Sequence, residues 1–216
     1  VEVVKYLLSW SGGLDSTATA YKLLSEGHQV HFHCSNWDVN ISMTTVEKLR
    51  RPAIIRYLKD QFGGLVTGYT WSEHNLSNVP GYKKMNALFW HQMSEAFEVA
   101  QLYNCDKVAF GAIEQPPRYK GPETPTFNWL VKCEVLRKIH RHFQNWSEAE
   151  YELPVGQWYK NEAFDSLPRE LYDLTWSCHY PQINSNNEWE PCGLCFQCRE
   201  YVNLNIPPQP NERNTS

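Results

Sequence analysis

The sequence predicts an α/β fold with a doubly wound parallel sheet, and three observations carry that prediction. Short apolar, β-branched runs alternate with stretches of helical spacing; glycines punctuate the junctions; and the first run breaks into a serine–glycine loop that opens a helix. With 216 residues, 42% of them apolar, the chain can bury one sizeable core. The expectation is a single domain over 1–204, followed by a proline-rich polar tail, 205–216, that is disordered.

Each element has its own signal. Residues 3–10 are an apolar strand, Ser11-Gly12-Gly13 is the loop, and 16–24 takes up helical spacing until Gly27 ends it. Residues 28–35 alternate as a second strand. A helix over 46–62, with Pro52 kinking or restarting it, stops at Gly63-Gly64 before a strand at 65–71. Residues 84–103 repeat apolar positions at helical intervals and lead into a strand at 107–112. The proline-laden stretch 114–127 is a loop at the carboxyl edge of the sheet, where such folds bind ligands. A helix over 128–143, a short strand over 152–158 and a mixed segment over 159–174 broken at Pro168 complete the order.

Composition narrows the function. The formal charge of −4 and the pI near 6.1 argue against the broad cationic surface that non-specific nucleic-acid binding needs. A small-molecule substrate is the expected partner, with no direct nucleic-acid binding. No stretch reaches the roughly 18 unbroken apolar residues of a membrane span, and VEVVKYLLSW has neither a basic leader region nor a small-residue cleavage site. A soluble, cytoplasmic protein is expected.

Ser11-Gly12-Gly13-Leu14-Asp15-Ser16 stands between a strand and a helix, where backbone N–H groups and the helix dipole converge on an anion. The two glycines let the backbone approach phosphate. Ser11, Ser16 and Thr17 offer hydroxyl donors, Trp10 borders the loop as a nucleotide neighbour, and Asp15 suits either a magnesium ion or the helix cap. A plain turn with a helix cap would use the same residue types. No Gly-Lys-Ser/Thr ending of the P-loop kinase type follows, and the motif resembles the SGGxDS loop of the PP-loop ATP pyrophosphatases. That resemblance implies ATP, with Mg2+, cleaved between its α- and β-phosphates, Ser11, Asp15 and Ser16 at the reacting end, and Trp10 to Thr17 around the nucleotide.

Of seven cysteines, Cys178, Cys192, Cys195 and Cys198 form a C-x13-C-x2-C-x2-C array, while Cys34, Cys105 and Cys133 are scattered and read as small core residues. Four thiolates suit a closed, structural, tetrahedral Zn2+ site whose backbone amides bond to sulfur. An iron–sulfur cluster uses the same four ligands, and disulfides are disfavoured in a cytosolic chain.

Taken with Leu174-Thr175-Trp176-Ser177-Cys178 and the run from Pro191 to Arg199, PCGLCFQCR, the chain resembles the 7-cyano-7-deazaguanine synthase family nearly end to end. The resemblance implies an ATP-dependent ligase that joins ammonia to 7-carboxy-7-deazaguanine through an adenylated carboxylate and an amide, on to the nitrile, in a homodimer. It also places substrate contacts. Where the family has V-P-G-R-N, this chain has Val79-Pro80-Gly81 and, after an insertion, Lys84 and Asn86 without the arginine; where it has G-V-N-x-x-D-Y-S-G-Y, this chain runs from Gly111 to Gly121 with Pro116 at the aspartate position, leaving Glu114 and Arg118 as the polar candidates. A homologue stopping at the amide, one adenylating another deazapurine acid, a tRNA-thiolating relative and a non-catalytic zinc module are the competing readings.

Three further features take structural readings. Lys160 and Glu162 match a Lys-x-Glu element of the family, and a solvated ion pair is the plainer account. Arg50-Arg51, Lys59, and Arg137-Lys138 with Arg141 are read as solvated helix-face charge. His91 is read as an ordinary surface or core histidine.

Overall fold

A computed structural model describes residues 2–38, 41–75, 85–114, 134–135, 138 and 149–213, with the side chains of 85–90 left out. Lys84, Arg118, the side chain of Asn86, Cys133 and almost all of the expected helix at 128–143 lie outside the described residues.

Five parallel strands make the main sheet: β1 (Lys5–Ser9), β2 (Gln29–Trp37), β3 (Val66–His74), β4 (Lys107–Phe110) and β5 (Glu150–Glu152), in the order β3-β2-β1-β4-β5. The helices are α1 (Leu14–Ser25), α2 (Ile41–Phe62), α3 (Met85–Leu102), α4 (Lys160–Asp165), α5 (Arg169–Leu174) and α6 (Phe196–Asn203). β1 is central, and the chain departs from it to β2 on one side while β4 lies on the other. The loop after β1 therefore opens at the strand-order reversal, where a crevice forms at the carboxyl ends.

Alternation along the strands sends Tyr6, Leu8 and Phe32 to a core shared with Leu14, Leu23 and Leu24 of α1, Ile54 and Leu58 of α2, and Leu171 and Tyr172 of α5. Leu7, Val108 and Phe110 go to the other face, against Met93, Ala96 and Phe97 of α3. The two filled faces make the sheet doubly wound, as the alternation of strand and helix signals predicts.

Several expectations change. Pro52 is accommodated inside one helix, Ile41–Phe62, and neither ends nor restarts it. The strand expected at 152–158 instead ends at Glu152, because Pro154 has no N–H for the ladder and the chain turns, with Gly156 N–H on the Leu153 carbonyl at 2.9 Å. The tail expected to be disordered from 205 is ordered through Arg213. Ile206 and Gln209 are buried, the Tyr172 hydroxyl donates to the Pro207 carbonyl, and β8 (Glu212–Arg213) pairs with β7 (Glu188–Glu190), which also pairs with β6 (Gln182–Ile183). Few apolar residues mark that tail; hydrogen bonds to its backbone hold it instead.

Arg50 adds one of those bonds, at Pro210. It is 4% exposed, donates to the carbonyls of Asp173, Thr175 and Pro210, pairs with Glu212 at 3.1 Å and lies over the Trp176 ring. Arg51 is 1% exposed. Neither is the solvated helix-face charge that its setting in α2 predicts, since the fold brings carbonyls and a carboxylate to each guanidinium.

At Gly68 the sheet has no room for a side chain: a Cβ there would stand 2.7 Å from two atoms of the His31 ring, which stacks on Tyr103 with ring centroids 4.0 Å apart.

Candidate active site

The glycine loop leaves β1 and enters α1 through Gly12, whose φ of 91° few other residues adopt. Arg51 holds this turn from behind, donating from Nε to the Ser11 carbonyl at 2.7 Å while its other nitrogens bond Asn36 and Glu47. The Ser11 hydroxyl accepts the Gly13 N–H at 3.1 Å and lies 3.2 Å from the Ser16 hydroxyl. The first intrahelical bond is Thr17 N–H to the Gly13 carbonyl, so the amides of Asp15 and Ser16 point out of the helix end.

The second wall comes from the C-terminal part of the chain. Trp176 N–H donates to the Gly12 carbonyl at 3.1 Å, and Leu14 N–H donates to the Ser177 hydroxyl at 3.2 Å. Ser177 N–H is held in turn by Gln209. Gly111 at the end of β4 closes the floor: a Cβ there would meet the Ser16 Cα at 2.4 Å.

Between these walls lies a cleft of about 240 Å³, lined by Ser11, Gly13, Asp15 and Ser16 on one side and by Lys160, Ser177, His179 and Gln197 on the other. Lys160 corrects the expectation of a solvated pair with Glu162. It is 2% exposed, its ammonium sits 2.8 Å from each oxygen of Asp15, and Glu200 stands 3.9 Å away. Glu162 caps α4 instead, accepting from the Tyr159 N–H at 2.7 Å. Asp15 makes no cap for α1; its partner is the lysine. Burial pushes the His179 imidazole below its ordinary range against the opposing charge of Cys178, and Lys160 adds to the fall. Gln197 Oε1 is buried without a hydrogen-bond partner, an orphan acceptor at the cleft wall.

Of the residues read from the sequence as nucleotide neighbours, Ser11, Gly13, Leu14, Asp15 and Ser16 line the cleft. Trp10, Gly12 and Thr17 lie behind it. The Trp10 ring is in the core, edge-on to Phe32 and Tyr69, with its N–H on the Thr17 hydroxyl at 3.2 Å. Strand alternation puts it there, since it shares the face of Tyr6 and Leu8. Glu114 is half-buried and is not among the lining residues; its N–H donates to the Trp158 carbonyl at 2.8 Å. Lys160, Ser177, His179 and Gln197 were missed as cleft residues, although Lys160 in the Lys-x-Glu element, Ser177 in the Leu174–Cys178 motif and Gln197 in the Pro191–Arg199 run carried a sequence signal.

The four cysteines converge just beyond Ser177. Their sulfurs lie within 4.8 Å of one another. A tetrahedron with metal–sulfur arms of about 2.3 Å has edges of about 3.8 Å, so the array fits one metal ion. Thiolates on separate irons of a cubane would stand farther apart. Cys192 N–H donates to Cys178 Sγ at 3.2 Å, Cys195 N–H to Cys192 Sγ at 3.3 Å and Cys198 N–H to Cys195 Sγ at 3.5 Å, the expected amide support. A hydrogen bond from Cys198 holds the Cys178 thiol below its ordinary range.

No family model and no curated protein matches the sequence. Among solved structures, a 4-thiouridine synthetase bound to RNA and ATP superposes with a TM-score of 0.51 at 18% identity, over 79% of this chain and 42% of that one. The likeness shows a shared α/β fold. The U34-tRNA thiolase NcsA of Methanococcus maripaludis, with its [4Fe-4S] cluster, is similar at a TM-score of 0.45 and 13% identity, over 94% of this chain and 65% of that one. NMN synthetase of Francisella tularensis is similar at 0.38 and 13%, over 98% and 78%. This chain spans less than two thirds of the length of the thiolase and of the 4-thiouridine synthetase. Among the described residues no helix is long and apolar enough to cross a membrane.

Proposed function

We propose that this protein is an ATP-dependent ligase that transfers AMP to the carboxylate of 7-carboxy-7-deazaguanine and lets ammonia displace it. The observation that carries the reading is the convergence on one cleft of the PP-loop hydroxyls, the outward amides of α1 and the buried Lys160 ammonium. Such a set binds and stabilises a phosphate chain as negative charge develops on the departing pyrophosphate. The sequence resemblance supplies the deazapurine acid.

A carboxylate is a poor electrophile until one of its oxygens carries AMP. Its oxygen attacks the α-phosphorus, the bond to the β-phosphate oxygen breaks, and pyrophosphate leaves. Ammonia then forms the C–N bond while AMP departs with that oxygen, and a proton is lost. Adenylation of the amide oxygen and loss of a second AMP, with two protons, gives the nitrile. Lys160 and the α1 amides hold the phosphates through both rounds, and positioning supplies most of the rate.

Magnesium, when bound, neutralises phosphate charge; Asp15 fits as its carboxylate, because each oxygen keeps a second lone pair beyond the lysine bond. Zinc, when bound to the four cysteines, supplies a closed structural cross-link. Among the described residues, the cysteines outside the four-cysteine array are Cys34 and Cys105; both are buried, and burial pushes their thiols up to about 12 and about 11, which suits neither to carrying sulfur.

The test is to incubate the metal-loaded protein with Mg-ATP, ammonium and 7-carboxy-7-deazaguanine and follow nucleotide and deazapurine masses. Nitrile together with AMP supports the full reading. Amide alone with AMP places the end of the reaction one step earlier. ADP in place of AMP, or an unconverted acid, sinks it.

A further inference from the structure

We propose that His74, His91 and Glu95 form a second metal site, taking one divalent transition-metal ion of the imidazole-preferring class and leaving a coordination position open. The site is separate from the PP-loop cleft, whose lining contains none of the three residues.

The sheet face toward α3 divides in two. Under β1 and β4 it is apolar, with Leu7, Val108 and Phe110. Along β2 and β3 it is polar: His33 pairs in register with Thr70, Ser35 with Ser72, and His74 ends the row. Burying so much polarity requires partners. Among the described residues, His91 and Glu95 of α3 face this row, one helical turn apart, so both side chains point the same way.

The three ligand atoms lie within 4.8 Å of one another. His74 Nε2 is 3.2 Å from each oxygen of Glu95, the separation expected of two ligands on one ion with arms of about 2.1 Å. Two imidazoles and one carboxylate are the donor set of open catalytic zinc and non-haem iron sites.

The surroundings are built as a supporting layer. The Trp37 ring stacks on His74 at 4.4 Å and meets His91 edge-on at 5.1 Å, fixing both imidazole planes. Ser35 donates to Glu95, and the Ser72 hydroxyl, 2.8 Å from His74 Nε2, holds the nitrogen that an ion would take from it. His33, 4% exposed, bonds Thr70 through Nδ1 and aims Nε2 at Glu95 from 3.6 Å, where that buried nitrogen has no hydrogen-bond partner. A carboxylate drawn onto a metal and tightened toward His33 would complete that pair. Beside His74 opens a cleft of about 340 Å³ bordered by Trp37, Thr44, Lys48 and Glu73, which gives an oxygen ligand room to reach the open position.

The test is a titration of the as-purified protein with Co2+, read by visible absorption and by metal counting after gel filtration. The expected result is one tightly held equivalent beyond the cysteine site. Its spectrum is weak and lacks thiolate charge-transfer bands, Zn2+ displaces it and Mg2+ does not. His91→Ala, at an exposed position, and Glu95→Gln each weaken this equivalent at least tenfold while keeping the cysteine-bound metal and the circular dichroism spectrum. Absence of the extra equivalent overturns the proposal. So does an extra equivalent that survives His91→Ala in the folded protein.

Discussion

The Lys160 ammonium sits 2.8 Å from both oxygens of Asp15, and the two sides of this pair are unequally exposed: the lysine side chain 2%, the aspartate 23%. Removing one partner therefore differs from removing the other. Asp15→Asn leaves a buried cation whose remaining carboxylate partner among the described residues is Glu200, at 3.9 Å, and costs on the order of 3 kcal/mol. Lys160→Met leaves a carboxylate that water reaches and costs about 1 kcal/mol. Urea unfolding of the two variants measures the difference, and equal losses would contradict the burial argument. Release of AMP drops by at least about 100-fold in Lys160→Met, as expected when a donor to developing phosphate charge is lost.

The Ser177 hydroxyl, which accepts the Leu14 N–H, is one residue from Cys178. If the proposed function holds, stripping metal from the four cysteines loosens the Ser11–Ser16 loop and weakens ATP binding about tenfold by calorimetry, roughly 1.4 kcal/mol. Ser177→Ala should reproduce part of that loss with the metal content unchanged. Full ATP affinity in metal-free, folded protein would separate the two sites.

Glu47 gives a pH signature. Burial raises its carboxyl from 4.5 to about 7, against the opposing charge and hydrogen bond of Arg51. Between about pH 4.5 and pH 7 the folded state then holds a proton that the unfolded state has released, so this group's contribution to stability falls as pH rises. Subtracting the unfolding free energies of Glu47→Gln from those of the parent across that window isolates the slope. A difference that rises with pH refutes the assignment.

Gly111→Ala places a methyl 2.4 Å from the Ser16 Cα, on backbone that cannot move without shifting the first turn of α1. The expected cost is about 3 kcal/mol, with loss of AMP formation in whatever folded protein remains. A normally active variant would show that β4 and α1 can separate freely.

The parts of this molecule that could be read from sequence are those whose chemistry is local. Ser11–Ser16 and the cysteines from 192 to 198 declare themselves by spacing, and the strand–helix alternation gives the sheet. What sequence hides is pairing over long separations. Lys160 meets Asp15 across 145 positions, and Arg50 meets Pro210 across 160. A buried arginine on α2 has the same neighbours in sequence as an exposed one, because the carbonyls that satisfy it arrive from α5 and the C-terminal segment. Trp10 shows the converse error: adjacency to a loop says nothing about which face of the sheet a ring takes, and strand parity decides that. Ordering of the tail follows from hydrogen bonds to its backbone, which composition does not encode.

The contact between His31 and Gly68 has a consequence for how this sheet can evolve. With the imidazole in place, position 68 is closed to every side chain. The two positions are a lock with one shared space, and a lineage can fill it from either strand but not from both. Substitutions at 31 and 68 should therefore arrive together, a smaller residue on β2 permitting a larger one on β3.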